Sequence, residues 1–173
     1  MITLITGGSG SGKSAYAEEQ VLLEGEARRI YIATMYPYDE ESHRRIDRHR
    51  RMRAGKGFET VECYTNLKEL QLPENSVVLL ECMSNLVANE MFKEQGAHEN
   101  TVQEVLQGVC MLEAQTRHLF IVTNEIFSDG VEYEEETKRY QEYLGRINAK
   151  IAELADRVTE VVYGIPIEYK KGK

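Results

Sequence analysis

The chain has only three cysteines, Cys63, Cys82 and Cys110, an odd number, widely spaced and without a CxxC pair. That excludes a small disulfide scaffold and offers no thiolate zinc set, so the thiols read as unpaired groups of a reducing compartment. Long apolar runs are missing as well. No stretch approaches the roughly 18 residues that a membrane span needs, and the opening Met1-Ile-Thr-Leu-Ile5 lacks a basic segment before its apolar residues. A cytoplasmic protein without a membrane span is expected. Repeats, low-complexity tracts and linkers are absent too, so a single domain over residues 1–173 is expected. Positive charge is in deficit: 21 Lys and Arg face 29 Asp and Glu, for a net charge of −8. Nucleic-acid binding as the main task is therefore disfavoured, because its affinity comes largely from neutralising phosphates. The 173 residues are 42% hydrophobic, which excludes collagen-like and disordered classes.

What is present is an alternation of apolar strands and helices. Ile2 to Thr6, Arg29 to Thr34, Ser76 to Glu81 and His118 to Asn124 read as buried strands, with a shorter extended piece at Phe58 to Glu62. Helices are expected at Lys13 to Leu23, at Asp39 to Arg53, through Phe92, and at Asn100 to Arg117. Another is expected over Glu132 to Arg157, where Tyr140, Leu144, Ile147, Ile151 and Leu154 recur at three- and four-residue spacing. Two short strands near Val158 to Tyr163 and Ile165 to Tyr169 close the pattern. Such alternation predicts an α/β fold of three layers, with a mostly parallel central sheet of the P-loop, RecA-like type.

The first strand runs into Gly7-Gly8-Ser9-Gly10-Ser11-Gly12-Lys13-Ser14, which satisfies GxxxxGK[ST] between a strand and a helix. Glycines let the backbone turn its N–H groups around a polyphosphate, and the helix N-terminus adds partial positive charge. Lys13 is expected to reach the β and γ oxygens of a nucleoside triphosphate, and the Ser14 hydroxyl to hold Mg²⁺. Glu81, at the end of a core strand, is the expected acidic partner for that metal. Thr34 and Glu125 end neighbouring strands, where open α/β folds gather their functional residues. No NKxD motif supports a regulatory GTPase.

Seven basic residues lie between His43 and Lys56, opposed only by Asp47. If this stretch is helical, Arg45 and Arg53 lie one turn either side of His49. Flanking guanidinium groups favour a neutral imidazole, able to attack an α-phosphate and hold the nucleotide as a phosphoramidate. His43, His98 and His118 lack that setting and read as structural.

Taken in order, TGGSGSGKS, YIAT (Tyr31 to Thr34), DEE from Asp39, RIDRH (Arg45 to His49) with Arg53, ETVE (Glu59 to Glu62), LLEC (Leu79 to Cys82), VTNE (Val122 to Glu125), and GRIN with LADRV resemble the bifunctional adenosylcobinamide kinase / adenosylcobinamide-phosphate guanylyltransferase family. The resemblance runs nearly end to end. It implies phosphorylation of adenosylcobinamide by ATP or GTP, then transfer of GMP from GTP to give adenosylcobinamide-GDP. It further implies a guanylylated His49, phosphate contacts from Gly7 to Ser14, GTP contacts from Thr34, Arg50 to Arg53 and Glu62, and a homotrimer. The chain departs from the family pattern at Gly10, where Arg is frequent, at Ile126 to Glu132, and at Tyr140-Gln141-Glu142. On the residues alone, a P-loop kinase of another small metabolite and an NTP-dependent RNA-binding module remain open.

Overall fold

A computed structural model describes residues 1–128 and 133–172. Its centre is a seven-stranded sheet of β1 (Ile2–Thr6), β2 (Arg29–Ala33), β3 (Phe58–Glu62), β4 (Val77–Glu81), β5 (His118–Val122), β6 (Arg157–Val162) and β7 (Ile165–Lys170), in the order β3-β2-β4-β5-β1-β6-β7. Every pairing is parallel except that of β6 with β7. The helices are α1 (Lys13–Leu23), α2 (Glu40–Arg53), α3 (Met83–Phe92), α4 (Thr101–Gln115) and α5 (Glu135–Leu154).

Alternation along the strands divides the core in two. Ile30, Ile32, Val78, Leu80, Leu119 and Ile121 pack with α3, α4 and α5 on one face; Tyr31, Val77, Leu79, Phe120 and Val122 pack with Ala17 and Val21 of α1 on the other. Both faces are covered, which is why these strands read as unbroken apolar runs. Each fully buried Leu or Ile contributes roughly 1.5–3 kcal/mol.

The expected strands stand where the sequence puts them. Helix α5 begins at Glu135, after Glu134 in extended conformation, and residues 129–132, which include the expected start at Glu132, lie outside the described residues. Two 3₁₀ turns at Leu67–Glu69 and His98–Asn100 were not expected. Helix α2 has little apolar residue content and is held by local devices. Asp39 caps it by accepting from the Ser42 N–H at 2.7 Å, Glu40 and Glu41 occupy its first turn, and Arg50, Arg51 and Arg53 its last, which suits the helix dipole. All three cysteines are free, and Cys110, unlike Cys63 and Cys82, is exposed rather than in the core.

Candidate active site

The phosphate loop leaves β1 and enters α1 at Gly12, whose φ of 93° is open to glycine. Gly7 is needed for space: a Cβ there would lie 2.5 Å from the Val161 carbonyl oxygen on β6. The loop is tied across the sheet by the Gly164 N–H donating to the Ser11 carbonyl at 2.8 Å. Lys13 Nζ donates to the Gly8 carbonyl at 3.0 Å, and burial lowers its pKa against the opposing effect of Glu81. The Ser14 hydroxyl donates to Glu81 Oε1. Glu81 is 8% exposed, its other oxygen has no hydrogen-bond partner, and burial raises its pKa.

Helix α2 brings His49 over this pair. Nδ1 of His49 stands 3.7 Å from Glu81 Oε1, with the side chain 17% exposed, and makes no hydrogen bond. Burial is the main cause of its lowered pKa, with Arg48 and Arg53 next. That corrects the expected cause. The guanidinium before His49 that acts on it is that of Arg48, whereas Arg45 pairs with Glu41 at 2.8 Å on the cavity wall. Arg53 is 7% exposed, lies with Cζ 3.4 Å from the Tyr31 ring centroid, and has Nη1 buried without a partner. An orphaned buried guanidinium N–H beside an unpaired imidazole is costly unless an anion meets it.

Phosphate loop and α2 face one cavity of about 990 Å³, lined by Ser9 to Ser14, Arg45, His49, Arg50, Arg53, Glu62 and Glu81, with Glu125 also on its wall. Gly7 and Gly8 are not among its lining residues. Arg50 and Glu62 pair with each other at 3.4 Å. Thr34 is placed differently from expectation: fully buried, it accepts from the Cys82 N–H at 2.7 Å and donates to the Cys82 carbonyl at 2.8 Å. With both hydroxyl functions engaged inward, Thr34 fixes the strand end that carries Glu81 and is not on the cavity wall. Of the other histidines, His118 bonds Thr3 and Glu24, each at 2.8 Å, and stacks on Phe120, a structural role as expected.

Among solved structures, the flagellar accessory protein FlaH from Methanocaldococcus jannaschii is similar, with TM-score 0.50 and 11% identity, covering 99% of this chain and 78% of that one. The fold is the P-loop arrangement of RecA type, with β5 between β1 and the Glu81-bearing β4. The sequence model described as "Cobinamide kinase / cobinamide phosphate guanyltransferase" matches residues 3–169. The chain belongs to that family. Two bifunctional adenosylcobalamin biosynthesis proteins named CobU are similar over 98% of this chain and 100% of their own length, that of Escherichia coli (strain K12) at 32% identity and that of Salmonella typhimurium (strain LT2) at 31%.

Within this cobinamide kinase / guanyltransferase family member, sequence reasoning missed Asn85, Asn124 and Arg48 on the cavity wall. Asn124 Nδ2 donates to Ser84 Oγ at 2.6 Å, joining the ends of β5 and α3. Only its place in VTNE hinted at it. In the nucleotide-free protein the C2 proton of His49 is expected to titrate with a midpoint below 6.5, the ordinary histidine value; a midpoint at or above 6.5 contradicts the site described. Between the native and ordinary pKa the unfolded chain binds the proton and the native ring does not. This contribution to stability is therefore intact above 6.5 and is lost as pH falls below it.

Proposed function

We propose that this chain phosphorylates the hydroxyl of adenosylcobinamide with ATP or GTP, then transfers GMP from GTP to adenosylcobinamide phosphate through His49, yielding adenosylcobinamide-GDP. Family membership supplies the reaction class. The observation that carries the histidine step is the approach of His49 Nδ1 to Glu81 Oε1 at 3.7 Å, beside Ser14 of the phosphate loop.

In the proposed tautomer Nδ1, the nitrogen on the side of the Glu81 carboxylate, carries the proton, and Nε2 is the nucleophile. Nε2 attacks the α-phosphorus; the N–P bond forms as the bond to the bridging oxygen breaks, and pyrophosphate leaves with that electron pair. An oxygen of the acceptor phosphate then attacks the same phosphorus, the N–P bond breaks, and the imidazole returns neutral. Burial keeps the ring unprotonated for the first attack. Lys13 and the loop N–H groups hold the outer phosphates, and Arg53, with its unpaired Nη1, offsets the negative charge on the oxygens of the α-phosphoryl group under attack. Gly7 to Ser14, Arg45, Arg50 and Glu62 complete the nucleotide contacts, Arg50 and Glu62 by exchanging their mutual pair for GTP.

The donor set of Ser14 and Glu81, a hydroxyl beside a buried carboxylate with one free oxygen, fits a hard cation that keeps several waters. Magnesium, when bound there, neutralises charge on the triphosphate.

We read residues 1–173 as one catalytic unit acting in the cytoplasm, which suits three unpaired thiols, and as a homotrimer. Support for association comes from β7, exposed along its whole length and bearing Ile165, Ile167 and Tyr169; such an edge is normally covered. Ile165→Lys is expected to lower the mass measured by light scattering, and an unchanged mass removes β7 from the interface.

The function is tested with α-labelled GTP and Mg²⁺. Acid-labile, base-stable label is expected on the wild-type protein, and adenosylcobinamide phosphate should remove it. A protein that phosphorylates adenosylcobinamide yet never takes up the label is a kinase only.

A further inference from the structure

A second cavity, of about 430 Å³, opens beside the nucleotide cavity. The two share Met35, Glu41, Arg45 and Asn85, so they form one continuous trough. Its outer part lies between the loop that follows β2, with Tyr36 and Tyr38, and the last turns of α3, with Ala88 and Phe92. Tyr36, Tyr38 and Phe92 are 37%, 65% and 55% exposed.

These rings are exposed but fixed. Tyr36 and Tyr38 have centroids 4.8 Å apart, and Tyr64 meets Tyr36 edge-on at 5.0 Å. Lys93 Nζ caps the Tyr36 ring at 3.2 Å. The Tyr38 hydroxyl donates to Asn89 Oδ1 at 3.4 Å, and Asn89 Nδ2 is held by the Thr34 carbonyl at 2.8 Å. Folding has spent aromatic surface on a wall that stays in water, next to the reacting groups.

We infer that this aromatic trough binds the corrin macrocycle of the acceptor, with its phosphate-bearing arm directed across Asn85 and Arg45 toward His49. The inference rests on the proposed function, which supplies an acceptor with a broad ring, apolar on its faces and rimmed by amides, carrying an anion on a flexible arm. Aromatic rings suit the faces. Arg45 at the junction, paired with Glu41 at 2.8 Å in the free protein, suits the phosphate by exchanging that partner, which leaves the Glu41 carboxylate at the trough edge to accept from amide N–H donors.

Calorimetric titration of the full chain with adenosylcobinamide tests the assignment. Tyr38→Ala and Phe92→Ala are each expected to weaken binding roughly tenfold, and Tyr38→Phe, which keeps the ring, to recover it. Leu23→Ala, a still more exposed apolar position at the far end of α1, is expected to bind as wild type. Unchanged affinity in both alanine variants, or a wild-type protein that does not bind the corrinoid, overturns the inference. So does a change of oligomeric state in those variants without a change in affinity, which would make the trough a contact between copies of the chain. Corrinoid binding that depends on Tyr38 in a protein that never acquires GMP label leaves the trough in place and removes the histidine step instead.

Discussion

His49→Ala is expected to lower guanylyl transfer by about three orders of magnitude or more, the scale of losing a covalent nucleophile, and to leave no acid-labile label on the protein. Phosphorylation of adenosylcobinamide should persist, because that reaction passes the γ-phosphoryl group directly to a hydroxyl and needs Lys13 and the loop rather than the imidazole. The split between the two activities is the informative part. A parallel fall in both would mean that His49 only supports the cavity wall, packed as it is against Glu81. Retention of label would move the nucleophile elsewhere. Gln at the same position keeps a polar side chain but offers no nitrogen lone pair comparable to imidazole, so His49→Gln should match the alanine variant.

Gly7→Ala should destabilise the protein by about 2–4 kcal/mol, within the range of overpacked and strained sites, and weaken GTP binding about a hundredfold. Two atoms lie within 3 Å of the added Cβ. Ser11 Oγ, at 2.6 Å, belongs to a side chain that can rotate away; the Val161 carbonyl, at 2.5 Å, is backbone of a fully buried residue of β6, a strand held between β1 and β7. The end of β1 must therefore move, and with it the Gly7 carbonyl that accepts from the Glu125 N–H at 3.0 Å. Gly8→Ala makes the contrast, since nothing lies within 4 Å of its Cβ; its unfolding free energy should stay within about 0.5 kcal/mol of wild type. Denaturant titration of the two variants beside wild type measures the difference, and equal loss in both would show that the approach to Val161 does not constrain the loop.

The strands were legible because burial on both faces fills most of their positions with apolar residues, as in Val77 to Leu80, and the phosphate loop because its backbone needs glycine and its ligand needs Lys13. His49 was legible from its charged neighbours, but the reason for its lowered pKa was not. Periodicity places Arg45 a turn away, yet only the fold shows that Arg45 pairs with Glu41 and that burial acts first on His49. Thr34 illustrates the same gap. A threonine ending a strand looks like a ligand contact, and whether its hydroxyl faces solvent or the Cys82 backbone depends on how β2 and β4 align. The trough of Tyr36, Tyr38 and Phe92 has no sequence signature at all, because its walls lie far apart in the chain and meet only when α3 packs beside the loop after β2.

The Gly164-to-Ser11 hydrogen bond, together with the pairing of β1 to β6, joins the phosphate loop to a segment far later in the chain. During synthesis the glycine-rich segment emerges long before β6 and the turn at Gly164, and lacks their support until both have left the ribosome. A partly made chain is thus unable to capture GTP, so nucleotide rescue of nascent polypeptides should fail for every fragment ending before that turn.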